Sequence, residues 1–123
     1  MRIALVLLAE DEKYIAELLI ESLEEGGFSV LAVPNGKAAT EVIANADDLQ
    51  ALVTDIRLGS GPDGWEVAHV ARHRFPELPV VYISGDSAHE WTEKGVPKSV
   101  FIQKPFAPVQ IVTAVSTLLN KAE

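Results

Sequence analysis

Five short apolar runs alternate along this chain with segments of helical period, and that alternation constrains the fold more than any other feature. The first run, Ile3 to Leu8, is continuous rather than alternating, as in a strand covered on both faces. The later runs are FSVLAV, Ala51 to Thr54, Val80 to Ile83 and SVFI. Between the first two, Ile15, Leu18, Leu19 and Leu23 form one helical stripe ended by Gly26-Gly27. Asn35-Gly36 supplies a turn and cap for a helix carrying Ala39, Val42, Ile43 and Ala46. A third helix places Val67, Ala68, Ala71 and Phe75 on one side, and a fifth begins near Pro108 with Ile111, Val112, Val115, Leu118 and Leu119. The fourth, near Ala88 to Lys94, has the weakest apolar pattern. Strand-helix units in this order imply right-handed crossovers and a three-layer α/β sandwich around a parallel sheet. At 123 residues the chain is expected to form one domain over 1–123, and no second module fits.

Hydrophobic residues make up 48% of the chain, enough for a packed globule. The absence of cysteine excludes disulfides and thiolate sites, and no apolar stretch approaches the ~20 residues of a membrane span. Acids follow the first apolar run where a signal peptide would place its cleavage site, so a cytoplasmic protein is expected. A net charge of −8 opposes general binding of nucleic acid, whose phosphates it would repel.

The chemistry-bearing residues fall at the ends of the apolar runs. Glu10-Asp11 follows the first, Asp55 the third, Ser84 the fourth and Lys104 the fifth. In a parallel sheet the carboxyl ends of strands meet at one crevice, so these residues share a site. Two carboxylates within about 4 Å repel by ~4 kcal/mol at an effective dielectric near 20, so gathering three requires a compensating charge. Mg²⁺ answers that requirement, because it takes hard oxygen ligands from one or two carboxylates and from phosphate. Lys104 offers a mobile positive charge and Ser84 a hydroxyl donor for phosphoryl oxygens. A carboxylate nucleophile completes the set, with the cation offsetting its repulsion from an incoming phosphate. Taken singly, each acid is as well explained as a helix cap or turn residue; the conjunction carries the assignment.

LAEDE, VTDIRL with DGWEVA, VVYISGD and FIQKPF, in that order, resemble the signature segments of bacterial response-regulator receiver domains, over Ile3 to Leu119. The resemblance implies a flavodoxin-like fold with strand order 2-1-3-4-5 and five helices. It implies Asp55 as phosphoacceptor, and Glu10, Asp11, Asp55 and the main-chain carbonyl of Arg57 as Mg²⁺ ligands. It further implies Ser84 as switch hydroxyl, Lys104 as phosphate-binding lysine, Phe101 as switch aromatic and a cis Lys104-Pro105 peptide. The implied function is that of a stand-alone receiver, a monomer or weak dimer. It is phosphorylated by a histidine kinase or histidine phosphotransfer protein and binds a downstream protein, without being a dedicated enzyme.

Some features depart from the common pattern. LGSGPDG replaces the usual Met-Pro-Gly stretch and is about one residue longer, and Phe101 stands where tyrosine is more familiar. By the same resemblance Arg57 and Asp86 fall where side chains flank the phosphoryl group and can pair across the site, which would either restrict the hydrolytic water or be a solvated surface contact. Two other functions use the same acids. An aspartate-nucleophile phosphohydrolase generally shows Asp-x-Asp, which Arg57 contradicts, and a phosphorylation-independent docking module would not need the intact set. His69 and His73 have metal-pair spacing but no third ligand. Trp91 reads either as core or as an exposed partner anchor.

Overall fold

The computed structural model describes residues 5–122, so Ile3 and Ala4 of the expected first strand lie outside the described residues. Five strands, β1 (Leu5–Ala9), β2 (Ser29–Val33), β3 (Ala51–Asp55), β4 (Val80–Ser84) and β5 (Ser99–Gln103), pair in parallel in the order β2-β1-β3-β4-β5. The helices are α1 (Lys13–Glu25), α2 (Gly36–Asn45), α3 (Gly64–Arg74), α4 (Trp91–Lys94) and α5 (Pro108–Ala122). This is the flavodoxin-like sandwich that the alternation and the resemblance imply. The two central neighbours β3 and β4 are buried along their whole length, which explains why their sequences are continuous rather than alternating.

The period of two divides each strand between two cores. Leu7, Leu52, Val80 and Tyr82 face Ile43 of α2 and Val67, Ala68 and Ala71 of α3. Val6, Leu8, Val53, Val81 and Ile83 face Leu19 and Leu23 of α1 and Ile111 and Val115 of α5. Leu18, expected in the α1 stripe, is exposed; Ala16 and Ile20 pack against the core in its place. The stripe is rotated because α1 meets β2 and α5 at once, and the i, i+3 position falls outside that contact.

Local chemistry sets the helix starts. The Asn35 side chain accepts from Ala38 N at 2.8 Å, and the Asp63 side chain from Glu66 N at 2.9 Å, so both helices have the expected kind of cap. The fourth helix shrinks to one turn, Trp91–Lys94, after a 3-10 turn over Ala88–Glu90. It has no buried residue, and its low apolar content supplies little to extend it. The strands run one residue further than the apolar runs at Asp55, Ser84 and Gln103, because main-chain pairing continues where apolarity stops.

Gly64 is required by close approach. A Cβ there would overlap the Asp55 carbonyl oxygen and lie 2.8 Å from Ile56 Cα, while Gly64 N donates to Ile56 O at 2.8 Å. The first turn of α3 is thereby seated on the end of β3. The intervening loop turns at Gly59 and Gly61, both with positive φ, and buries Ile56 and Leu58 in the core. No helix among the described residues is long and apolar enough to cross a membrane.

Candidate functional site

Sheet topology brings the strand-end residues together. Glu10 follows β1, held by a hydrogen bond from its N–H to Val33 O at 3.1 Å. Asp55 ends β3 beside it, and Lys104 N donates to Ser84 O at 2.9 Å as β4 and β5 part. The Lys104-Pro105 peptide is cis, as expected. Glu10, Asp11 and Asp55 each bring a carboxylate oxygen within 4.8 Å of the others, the one such cluster of possible metal ligands among the described residues. His69 and His73 are not in it; the His69 ring bonds to Lys94 O at 2.9 Å.

Charge compensation comes from Lys104. Its ammonium donates to Asp55 Oδ2 at 2.6 Å and lies 3.3 Å from Glu10 Oε1 and 3.8 Å from Glu12 Oε1. Burial opposes its charge, but the hydrogen bond and attraction of Asp55, with Glu10 behind them, hold its pKa above the ordinary lysine value. Glu10 moves far more. It is 3% exposed, and burial together with the charge of Asp55 pushes its pKa from 4.5 up to about 8, against the lowering effects of the Glu12 N–H and of Lys104. Its Oε2 accepts from Glu12 N at 3.2 Å, whereas the buried Oε1 accepts no hydrogen bond. One lysine is therefore insufficient for three clustered acids.

The donor set fits a hard divalent cation. It consists of oxygens only, one of them a buried carboxylate oxygen with an unused lone pair, and the local charge is negative. Mg²⁺ is such a cation, and Glu10, Asp11 and Asp55 are the residues that would hold it.

The second half of the site lies across the mouth. Arg57 N donates to Asp55 Oδ1 at 3.3 Å, and the Arg57 guanidinium engages Asp86 through Nε at 3.1 Å and Nη2 at 2.8 Å. That hydrogen bond raises the Arg57 pKa and lowers that of Asp86. Ser84 is buried at the end of β4, but its hydroxyl is turned to Asp86 Oδ1 at 3.2 Å and accepts from Asp86 N at 3.3 Å. Ser87, which no sequence signal distinguished, is buried too and donates to the same Oδ1 at 3.0 Å.

Phe101 is half-buried between two tryptophans. Its ring is 6.2 Å from that of Trp65, near-parallel at 24°, and 6.1 Å from that of Trp91. Trp91 is 36% exposed and donates to Ser99 Oγ at 3.0 Å, so it is not core but a surface ring tethered to β5.

Residues 6–116 match the family described as the response regulator receiver domain. A putative response regulator NtrX-like of Rickettsia typhi is 32% identical over 104 residues, covering 82% of this chain and 22% of the relative. The transcriptional regulatory protein CusR of Escherichia coli is 30% identical over 120 residues, covering 94% of this chain and 51% of the relative. The chain thus spans between 22% and 51% of the length of these curated relatives. A response regulator receiver protein from Sinorhizobium medicae has a similar solved structure, 44% identical with a TM-score of 0.96 and covering 99% of this chain and 98% of that one.

Proposed function

The chain belongs to the response regulator receiver domain family of two-component signalling, and from that premise we propose that Asp55 accepts a phosphoryl group. The donor is a histidine kinase or histidine phosphotransfer protein, and the output is phosphorylation-dependent binding of a downstream protein. One observation carries this reading. Asp55 is a nearly buried carboxylate, 5% exposed, paired at 2.6 Å with a lysine that is itself shared with Glu10.

An Asp55 oxygen attacks the phosphorus of a phosphohistidine, the P–N bond breaks, and the imidazole leaves with the bonding electrons. Mg²⁺, when bound, supplies positive charge that offsets repulsion between the acids and the incoming phosphate. Glu10, Asp11, Asp55 and the Arg57 main-chain carbonyl are the proposed ligands. Lys104, already on Asp55, moves its attraction to a phosphoryl oxygen as charge develops there. Ser84 donates to a second oxygen once its hydroxyl leaves Asp86.

The face of α4, β5 and α5 is the proposed output surface, with Phe101 and Trp91 as its aromatic elements. Phe101 lacks a hydroxyl, so its part is in packing rather than hydrogen bonding. Phosphorylation acts by biasing two arrangements of this face through contacts that differ between them.

Intact-mass measurement tests the chemistry. Incubation with acetyl phosphate and Mg²⁺ should add one base-labile phosphoryl group, absent in Asp55→Asn and lost on chelation. Undiminished labelling of Asp55→Asn would place the acceptor elsewhere.

A further inference from the structure

Asp86 sits where two loops meet over Asp55, and its Oδ1 is the common acceptor for three donors. Arg57 Nε reaches it at 3.1 Å from the loop after β3, Ser84 Oγ at 3.2 Å from the end of β4, and Ser87 Oγ at 3.0 Å from the following turn. A serine hydroxyl has one proton to donate. While that proton lies on Asp86 it is not available to a phosphoryl oxygen on Asp55. Arg57 makes the carboxylate a tolerable neighbour for the site by neutralising it through a two-point contact.

We infer that Asp86 is a positioning residue, a competing acceptor that, braced by the Arg57 guanidinium, holds the Ser84 hydroxyl in a clasp which the phosphoryl group must open. The inference rests on Asp55 being the phosphoacceptor. A phosphoryl group carries oxygens that accept strongly, so it competes with Asp86 for the one Ser84 proton, whereas Arg57 has N–H donors beyond the two on Asp86. Linkage makes the effect reciprocal: whatever Asp86 contributes to the closed clasp weakens phosphoryl recognition by the same factor.

The clasp also has a route outward. Asp86 is followed by buried Ser87, whose carbonyl accepts from Glu90 N at 3.0 Å and closes the 3-10 turn leading directly into α4. Ser87 Oγ shares Asp86 Oδ1 with Ser84, so a carboxylate that shifts when Ser84 leaves it carries that shift to the base of the proposed output face. Asp86 is exposed and lies on no helix or strand, so its replacement leaves the core intact.

The test is a double-variant cycle on the full chain, with beryllium trifluoride as a non-transferable phosphoryl mimic. Binding is followed by titration calorimetry at saturating Mg²⁺. Asp86→Ala should bind the mimic about fivefold more tightly than wild type, the scale of an exposed charged contact. In a Ser84→Ala background the same Asp86→Ala change should alter affinity less than about twofold, because the hydroxyl it would release is gone. Asp86→Asn, which keeps the shape and an acceptor oxygen but loses the charge, should fall between wild type and Asp86→Ala. An equal gain in both backgrounds would overturn the clasp, since it would show that Asp86 acts only by its charge. No gain in either background would overturn it as well. Absence of binding by the wild type itself would instead remove the phosphoacceptor reading, and the clasp with it.

Discussion

Glu10→Gln should make the metal-free protein more stable at pH 8 and nearly neutral at pH 5. In the folded chain Glu10 keeps its proton up to about pH 8, whereas its ordinary value is 4.5. Between those values the native state binds a proton that the unfolded state has released, so stability falls as pH rises. A group with a raised folded pKa contributes its stabilisation below the unfolded value and has lost it above the folded one. Each pH unit in that window removes up to about 1.4 kcal/mol, so the whole window corresponds to a ceiling of about 5 kcal/mol. Relaxation around the buried carboxylate reduces this, and a difference of about 2–4 kcal/mol at pH 8 is expected. Gln retains an acceptor for the Glu12 N–H, so the substitution removes the charge without orphaning that donor.

Urea denaturation in chelator at pH 5, 6, 7 and 8 measures it, with the variant-minus-wild-type difference cancelling the titration of groups that do not contact Glu10. A difference that does not grow with pH would refute the burial of Glu10 as the source of its shift. Added Mg²⁺ supplies the converse check. It should stabilise the wild type increasingly up to about pH 8, because the ligand must lose its proton to bind, and should stabilise Glu10→Gln much less.

Three further outcomes follow from particular contacts. Gly64→Ala sets a Cβ against the Asp55 carbonyl and should cost about 2 kcal/mol or more in urea denaturation, whereas Gly27→Ala, with open space but a positive φ, should cost about 1 kcal/mol. Lys104→Ala should retain labelling of Asp55 by intact mass while losing most of the phosphorylation-dependent gain in partner affinity; full retention of that gain would contradict its role in reading the phosphoryl group. Trp91→Ala should leave labelling unchanged and weaken the phosphorylation-dependent partner by about 2 kcal/mol in titration calorimetry.

The sheet was legible because β3 and β4 are buried along their whole length and are written as continuous apolar runs, and the half-buried edge strands β2 and β5 are still mostly apolar. The strand-end chemistry was legible for a related reason. Parallel topology sends all carboxyl ends to one edge, so Glu10, Asp55, Ser84 and Lys104 could be joined before any distance was known. Residues whose role depends on long side chains crossing between elements were not legible. Arg72 donates to Leu78 O and Pro97 O, both at 2.6 Å, and so ties α3 to the segment before β5. Its sequence position looks like an ordinary surface arginine on α3. The pairing of Arg57 with Asp86 was foreseeable from their places beside the acceptor. The turning of Ser84 toward that pair was not, because a rotamer follows from competition among acceptors rather than from spacing. Leu18 failed for a simpler reason: a helix between two neighbours buries a face that its own periodicity only approximates.

The proposed site is set up for change because its charges are unequal in number. A single ammonium faces Asp55, Glu10 and Glu12, and one guanidinium is committed to Asp86. Transfer of a phosphoryl group to Asp55 would add negative charge to this balance, and the nearest cations are already engaged. Lys104 can follow its partner by moving along the same carboxylate, a small displacement within the β5 end. Ser84 cannot donate to a new acceptor without leaving Asp86, and the loop that Asp86 occupies continues through Ser87 into α4. That helix is only one turn long and buries no side chain, so little packing opposes its movement. The main restraint described on its tryptophan is the contact with Phe101 and Ser99 of β5. A shift of α4 would therefore be felt at Phe101, whose ring also contacts that of the buried Trp65.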